Sequence, residues 1–383
     1  MIPLAVPHLA GNESAYLSSC IESGYVSSVG PFVERFERAS EAAFFAPAAC
    51  AVTSGTAALR LALTVLGVRT GDLVVTQSFT FIASANAITH AGATPWLFDV
   101  DPTTWTLDAG LLERELAVRC KPGEGGMPVH TETGRRIGAI LPVHTLGIAP
   151  DLPRIREIAN RWNLPVISDA AAAHGSRCSG DPITRFADAA CYSFNGNKTV
   201  TAGGGGVVTS ANTELIQRAK HLSSQARVGT GYDHDAVGFN DRMTNLQAAV
   251  GVAQLEQLDG FLAAKRRIRD RYDAAFERDG AFDPFPRPAG SDHCCWLSGV
   301  VLDRPASPVA ASLAARGVGA RPFWKPVHLQ RPYADAPKTT QHAGDAFWDR
   351  VLTLPSSTSL TEAEQTLVTE ALFELCGSAA GCR

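Results

Sequence analysis

Short apolar runs alternate with amphipathic stretches through the first half of the chain. Apolar runs occupy residues 48–53, 73–76, 94–98 and 137–143, and polar or small residues follow each of them. Runs of this length are typical of buried strands, whereas apolar residues at spacings of three and four, as in residues 57–66, are typical of amphipathic helices. Strands that alternate with helices predict a largely parallel α/β sheet.

The second half of the chain has a different arrangement. A long helical periodicity leads to the proline-rich residues 284–288, where we expect the entry to a smaller α+β domain. We therefore predict a large domain over residues 1–255 and a small C-terminal domain over residues 256–383. The elements predicted in this half are a strand at residues 295–302 and helices at residues 245–276, 309–315 and 361–375.

Two charged residues follow apolar runs in the middle of the chain. Asp169 comes just after the predicted strand at 164–167, and an Asn-Gly-Asn turn after the run at 189–194 presents Lys198. The carboxyl ends of parallel strands are where open α/β sheets bind ligands. An acid and a lysine there suit pyridoxal phosphate, which needs a lysine amine for its Schiff base and a carboxylate facing its ring nitrogen. Taken singly, such a lysine is usually solvated surface, and such an aspartate also suits a helix N-cap.

A strand, a small-residue turn and a helix follow one another over residues 48–66. The turn is Ser-Gly-Thr at residues 54–56, and the first free N–H groups of the helix point towards it. Many α/β proteins have such a turn with nothing bound to it. Together with Lys198 and Asp169, however, it is the expected cradle for a cofactor phosphate.

Seven segments, in this order, resemble the DegT/DnrJ/EryC1/StrS family of sugar aminotransferases. The first and fifth are most similar in form to members that aminate C4 of nucleotide-linked 4-keto-6-deoxy sugars. The resemblance implies the fold type I architecture of pyridoxal phosphate-dependent aminotransferases, with a mostly parallel sheet in the large domain. The segments are GYVSSVGPFVERFE (24–37), SGTAALRLAL (54–63), SFTFIASANAI (78–88), LPVHTLG (141–147), SFNGNKTVTAGGGG (193–206), GFNDRMTNLQAAVGVAQLE (238–256) and RPFWKPVHLQ (321–330).

The resemblance also implies roles for individual residues. Lys198 is expected to bind the cofactor and to move the proton at the substrate carbon, and Asp169 to face the ring nitrogen. Phe81 and Ala171 are expected on the two faces of the ring. The cofactor-binding residues expected from the family are Thr56, Ala57, Phe81, Asp169, Ala171, Ser193, Lys198 and Asn240.

The partners implied by the resemblance are a nucleotide-linked keto sugar, L-glutamate as amino donor, and a second copy of the chain. In the family, an asparagine-arginine region of the neighbouring subunit closes the phosphate site. It corresponds to Asn240 and Arg242, which implies an obligate homodimer with shared active sites. Aromatic side chains can cover a sugar or base, and Arg and Lys can bind a diphosphate, although Trp324 also suits the small-domain core. The expected substrate-binding residues are Tyr25, Arg242, Arg321, Trp324, Lys325 and His328.

Three positions depart from the family pattern. The third residue after the aspartate is usually Gln or Glu, which bonds the phenolic oxygen of the cofactor, and here it is Ala172. Ser168 replaces the usual acid before the aspartate, and Asp241 stands where an aromatic residue is common. We therefore expect altered cofactor tuning or an altered substrate.

Composition and charge exclude several other classes of protein. A net charge of -4 makes no electrostatic case for nucleic acid or an anionic membrane. The nine cysteines are scattered without a CxxC pair, so neither a disulfide framework nor a zinc site is expected. No apolar run approaches membrane length and no leader pattern precedes Leu4, so we expect a cytoplasmic protein.

The sequence bears on three alternatives to C4 amination. A nicotinamide-dependent oxidoreductase would need a GxGxxG turn that opens a helix, but the glycines at 203–206 lead into an apolar run. Another reaction with the same cofactor, such as C3 amination or dehydration, stays open, although dehydratase relatives carry a histidine in place of Lys198. A non-catalytic relative is disfavoured by the intact Lys198, Asp169 and Thr56.

Overall fold

A computed structural model describes residues 1–279, 282–288 and 292–377. Its helices are α1 (Glu13–Ser23), α2 (Pro31–Phe44), α3 (Gly55–Val65), α4 (Ala83–His90), α5 (Ala109–Arg119), α6 (Leu152–Arg161), α7 (Thr213–Ser223), α8 (Asn245–Leu255), α9 (Leu258–Asp279), α10 (Ala306–Ala315), α11 (Ala343–Phe347) and α12 (Glu362–Cys376). Its strands are β1 (Ala48–Val52), β2 (Leu73–Gln77), β3 (Thr94–Phe98), β4 (Cys120–Pro122), β5 (Pro128–His130), β6 (Ile137–Leu141), β7 (Ile167–Asp169), β8 (Ala189–Ser193), β9 (Gly206–Ser210), β10 (Arg227–Val228), β11 (Asp233–His234), β12 (Asp283–Pro284), β13 (Ser298–Val301), β14 (Arg321–Pro322) and β15 (Val351–Leu354).

Seven strands form the central sheet, in the order β1-β9-β8-β7-β6-β2-β3. Parallel bridges between Ile140 and Val166 and between Val143 and Asp169 join β6 to β7. Among the strands that the structure describes in this sheet, β9 alone runs in the direction opposite to the other six. The largely parallel α/β sheet predicted from the sequence is thus confirmed.

The sheet is buried on both faces because its strands are apolar at nearly every position. Successive residues of a strand point to opposite faces, so Ala49 and Ala51 of β1 enter one hydrophobic core while Cys50 and Val52 enter the other. Helices α3, α4 and α7 pack on the second of these faces, and α2 and α8 pack together on the first. None of the helices within the described ranges has the length and apolar character that crossing a bilayer needs.

The C-terminal part carries a second sheet, in the antiparallel order β12-β13-β15-β14. Helices α10 and α12 cover it, and Tyr272 and Phe276 of α9 enter its core. The division of the chain at residues 255 and 256 stays a prediction. A helix break lies close to it, but the core under the central sheet also takes in Phe285 and Phe323 from the C-terminal part.

Several predicted boundaries were wrong. The helix predicted over residues 245–276 is two helices, because Glu256 and Gln257 at the junction bond to residues of the N-terminal region, including Glu13. The strand predicted at 295–302 begins only at Ser298, since Cys295 has a φ of 51°.

Two regions predicted to lie outside the main sheet contain short strand pairs. The stretch at 223–241, where Gly, Asp and His residues predict a loop, includes the pair β10 and β11. The glycine-rich insertion at 121–136 predicts an exposed loop or hairpin, and it is a hairpin of β4 and β5. The small residues at 377–383 predict a frayed end, and positions from 378 onwards lie outside the described residues.

Candidate active site

One cavity of about 490 Å³ opens at the carboxyl ends of the parallel strands. The ends of β6, β7 and β8, the start of α3 and residues around β14 form its walls. The sequence-predicted residues that line it are Thr56, Phe81, Asp169, Ala171, Ser193, Lys198, Arg321 and Trp324. The fold therefore brings together eight residues that are far apart in the sequence.

Lys198 is half-buried in this cavity. The turn before it is closed by the Lys198 N–H, which donates to the Asn195 carbonyl at 3.0 Å. The Lys198 Nζ lies 4.1 Å from the ring centroid of Trp296. Burial lowers the pKa of Lys198 to about 8, and the Asp169 carboxylate opposes this shift. A substantial fraction of the amine is therefore neutral, and so nucleophilic, close to physiological pH.

Asp169, the last residue of β7, is only 4% exposed. Its carboxylate accepts hydrogen bonds from the Ser84 hydroxyl at 2.7 Å and from the Ala171 N–H at 3.1 Å. Burial raises the pKa of Asp169, while these two bonds and the charge of Lys198 lower it. The site thus holds a fixed acidic group with a cationic partner across the cavity.

The turn before α3 approaches β8 and β9 very closely. Ser54 caps the helix by accepting the Ala57 N–H at 3.1 Å, so the helix N-terminus lies at the cavity beside the Ser193 hydroxyl. A side chain at Gly55 would put its Cβ 2.7 Å from the Ser193 Cβ. A helix N-terminus with adjacent hydroxyls favours an anion.

Aromatic side chains form the open wall of the cavity. Phe81 is 56% exposed and its ring centroid lies 6.2 Å from that of Trp324. Trp324 in turn stacks on Phe323 at 4.2 Å. Trp324 is only half-buried and faces the cavity, although it also packs against the hydrophobic core. Arg321 adds a guanidinium to the same wall.

Six predicted residues do not line the cavity of their own chain. The Ala57 N–H donates to the side chain of the N-cap residue Ser54. Tyr25 is 48% exposed. Asn240 is exposed on the segment after β11, and Arg242 Nε donates to the Ser28 carbonyl at 3.0 Å.

The two remaining residues follow β14. Lys325 is exposed, with its Nζ 5.9 Å from the ring centroid of Trp348. His328 is buried between the Ser78 hydroxyl, 2.6 Å from its Nδ1, and the Asp345 carboxylate, 3.1 Å from its Nε2. His328 therefore connects two segments in the structure of this chain.

The three departures from the family pattern lie in distinct places. Ala172 lines the cavity with an apolar side chain. The Ser168 hydroxyl lies 2.9 Å from Nε2 of His144, a buried residue that also lines the cavity. Asp241 forms an ion pair with Arg60 of α3, so it anchors the segment that carries Asn240.

The sequence did not reveal Trp296 and Ser84 as site residues. Ser84 resembles an ordinary small residue of a helix, and Trp296 lies almost a hundred positions after the lysine that it covers. Residue 296 belongs to an apolar run, which predicts core rather than a cavity wall. Within the described ranges, no group of three or more His, Cys, Asp or Glu side chains is placed to hold a metal ion.

The residues present fit pyridoxal phosphate. The amine of Lys198, the buried carboxylate of Asp169 and the helix N-terminus beside Ser193 face one cavity. They correspond to the three polar parts of the cofactor, which are its aldehyde, its ring nitrogen and its phosphate. An open α/β sheet with these groups at the carboxyl ends of its strands defines a pyridoxal phosphate-dependent enzyme of fold type I.

Comparison with known proteins identifies the family. Residues 7–373 match the DegT/DnrJ/EryC1/StrS aminotransferase family, and the chain belongs to it. The resemblance found in the sequence is thereby confirmed, as are the enzyme class, an aminotransferase, and the cofactor, pyridoxal 5'-phosphate.

Individual relatives are similar to this chain over most of its length. A GDP-perosamine synthase of Caulobacter vibrioides is 38% identical over 380 residues, which is 98% of each chain. A UDP-N-acetyl-3-dehydro-alpha-D-glucosamine 3-aminotransferase of Acidithiobacillus ferrooxidans is 32% identical over 81% of this chain and 79% of its own. The crystal structure of a DegT DnrJ EryC1 StrS aminotransferase from Brucella abortus superposes with a TM-score of 0.87 at 27% identity, covering 96% of both chains.

Proposed function

We propose that this aminotransferase moves an amino group from L-glutamate to C4 of a nucleotide-linked 4-keto-6-deoxy sugar. The observation that carries the proposal is a single cavity that combines the Lys198 amine and the Asp169 carboxylate with an open wall of aromatic residues and Arg321. A relative named for a GDP-linked product, similar over 98% of the chain, supports a nucleotide-linked substrate. The form of residues 24–37 and 193–206 supports C4.

Lys198 and Asp169 divide the chemistry between them. When bound, the cofactor supplies an electron sink for the carbon that loses its proton. Lys198 would hold the cofactor and then move that proton at its Nζ, which a pKa near 8 suits because the amine can both release and accept it. Asp169, fixed by Ser84, would keep the ring nitrogen protonated.

The remaining cofactor contacts follow from the placement of the lining residues. The N-terminus of α3, with the hydroxyls of Thr56 and Ser193, would hold the phosphate. Ala171 and Phe81 would cover the two faces of the ring. These groups orient the cofactor and exclude water, while the proton transfer belongs to Lys198.

For the sugar nucleotide, the open aromatic wall is the favoured surface. The ring of Trp324 is partly exposed at the cavity, where it can cover an apolar sugar face or a base. Arg321 lines the same cavity and can pair with a diphosphate. Tyr25, Arg242, Lys325 and His328 lie outside the cavity of their own chain and remain weaker candidates.

We also propose a homodimer with shared sites. One exposed segment with apolar side chains, which water disfavours, precedes Asn240 in the chain, and a second follows Ser28, whose carbonyl accepts a hydrogen bond from Arg242. One contains Tyr232 and Val237, each 90% exposed, and the other contains Val29, at 66%. A partner docked on these segments would bury them and bring Asn240 to the phosphate site of the opposite subunit.

The first test is an absorption spectrum of the purified protein, before and after L-glutamate is added. We expect a visible cofactor band that glutamate removes, with 2-oxoglutarate released in equal amount. A band that ignores glutamate would overturn the assigned donor. If no band forms even after pyridoxal phosphate is supplied, the proposed function fails.

The second test identifies the carbon that receives the nitrogen. The glutamate-loaded enzyme is mixed with nucleotide-linked 4-keto-6-deoxy and 3-keto sugars, and the product is analysed by NMR. Amination at C4 supports the proposal. Amination at C3 alone would replace it with the activity for which the Acidithiobacillus relative is named. Loss of water without 2-oxoglutarate would instead indicate a dehydratase.

A further inference from the structure

Trp296 is a buried residue of the cavity wall, and the cofactor contacts described above do not include it. It is only 3% exposed, yet it lines the cavity directly opposite the Lys198 amine. Its ring and its backbone contact three different parts of the chain. We propose that Trp296 is a positioning residue for Lys198, which holds the amine and its turn in place through the indole.

The indole contacts the last two residues of the turn that presents the lysine. Its Nε1–H donates to the Asn197 carbonyl at 2.7 Å, which restrains the turn backbone. Its face meets the Lys198 Nζ, 4.1 Å from the ring centroid. One side chain therefore restrains the backbone of residue 197 and the side chain of residue 198 together.

The backbone of Trp296 is itself anchored in the C-terminal part of the chain. Its carbonyl accepts a hydrogen bond of 2.8 Å from Nζ of Lys265, a residue of α9 that is 3% exposed. The same ammonium also bonds to the Ser356 carbonyl after β15. Lys265 therefore ties Trp296 to two elements of the second sheet region, so the position of Lys198 depends on how that region packs.

The face of an aromatic ring attracts a cation through its quadrupole, more strongly where water is excluded. Trp296 should therefore favour a positive charge at Nζ and oppose the burial that disfavours it. The other titratable groups close to Nζ are Asp169, Cys294 and His174. Asp169 also favours a positive charge at Nζ, and His174 is buried and neutral. A change of Trp296 alone keeps these side chains in the sequence, so it measures the effect of the indole on the proton affinity of Nζ.

The test measures the proton affinity of Nζ in the cofactor-free protein, and therefore does not require activity. Lys198 is acetylated with acetic anhydride over a range of pH, and peptide mass spectrometry gives its labelling rate relative to the exposed Lys121. Trp296→Phe retains an aromatic face without the N–H, whereas Trp296→Leu retains a smaller apolar side chain without an aromatic face. We expect the midpoint of labelling to fall by about 0.5 to 1 pH unit in the Leu variant, with the Phe variant in between.

Trp162→Leu is the matched control, because this tryptophan is also partly buried but lies at the end of α6, outside the cavity. Its labelling midpoint should equal that of the wild type. A midpoint in Trp296→Leu that is unchanged or higher overturns the proposal. The inference rests on the proposed role of Lys198, yet the two can fail separately. If the wild-type protein shows no cofactor band, the proposed function fails. The acetylation of Lys198 in the cofactor-free protein would still measure the effect of the Trp296 indole.

Discussion

The Ser84 hydroxyl donates a hydrogen bond to the Asp169 carboxylate and opposes the effect of burial on the acidity of this residue. Burial raises the pKa of this carboxyl, and the Ser84 hydroxyl lowers it by stabilising the ionised form. A protonated Asp169 could not keep the ring nitrogen of the cofactor charged. Activity should therefore be lost as the pH falls through the pKa of Asp169.

Ser84→Ala should raise this pKa, since it removes one hydrogen bond to the charged form. The acid limb of kcat/KM against pH then moves upward, and kcat/KM on that limb falls by roughly ten- to a hundredfold, the equivalent of one hydrogen bond to a charged group. Thr89→Val, on the same helix but bonded to Ala85 and Tyr333, is the control and should leave the limb in place. An unchanged limb in Ser84→Ala would contradict this account of Asp169.

Ala172 leaves one cofactor oxygen without the partner that the family usually provides. A glutamine there should restore the bond, so Ala172→Gln should accelerate the reaction with L-glutamate by about tenfold, the equivalent of one ordinary hydrogen bond. Single-turnover loss of the cofactor band measures this rate. Ala172→Met, of similar length without an amide, controls for bulk. Equal acceleration by both variants would refute the hydrogen-bond explanation.

At the scale of the element, the close approach of α3 to β8 defines the phosphate cradle. Gly55→Ala would force its Cβ to 2.7 Å from that of Ser193, so the helix start must shift. We expect roughly tenfold weaker cofactor binding, and about 1 to 3 kcal/mol lower unfolding free energy from overpacking. Fluorescence titration with pyridoxal phosphate and urea unfolding measure the two effects.

Gly260→Ala is the matched control for this substitution. It lies in α9, nothing lies within 4 Å of its added Cβ, and its backbone does not need a glycine. Alanine favours a helix over glycine by up to about 1 kcal/mol, so this variant should be as stable as the wild type or slightly more so. If Gly55→Ala binds the cofactor as tightly as Gly260→Ala, the cradle is not at α3.

At the scale of the whole molecule, active sites shared between two subunits make a prediction about mixed dimers. Two variants that are each inactive alone should regain activity when they form a dimer together. Lys198→Ala lacks the amine, and Asn240→Asp would place a negative charge beside the phosphate of the opposite subunit. A mixed dimer of these chains has one site with both native residues. After denaturation and refolding together, about a quarter of the wild-type activity should return. No recovery, with dimers present by light scattering, would contradict the shared site.

The elements of the central sheet could be predicted because their signal is local. The strand at 94–98 was predicted at its observed bounds, since its apolar run stands between polar turns. The break between α8 and α9 could not be predicted, because apolar periodicity continues through both helices. The contacts that anchor Glu256 and Gln257 at the break come from the N-terminal region, 221 to 244 positions away.

The residues of the candidate site also fall into those that could be predicted from the sequence and those that could not. Lys198, Asp169 and the turn at 54–56 could be recognised because each lies at a strand end within a recognisable segment. Trp296 and Ser84 could not, since their roles depend on which side chain faces them across the folded chain. His328 shows the opposite case, because it lies in a family-like segment but bonds to Ser78 and Asp345.

The sequence by itself determined the family, the α/β class and the cofactor, and it predicted Lys198 and Asp169 as the residues that face the cofactor. These properties are encoded in short apolar runs, turns and segments that are read without knowing their neighbours. Only the tertiary structure decided the direction of β9, the anchoring of Asp169 by Ser84 and the cover of Trp296 over Lys198. Each of these depends on contacts between residues distant in the chain, which form when the two faces of the sheet are buried.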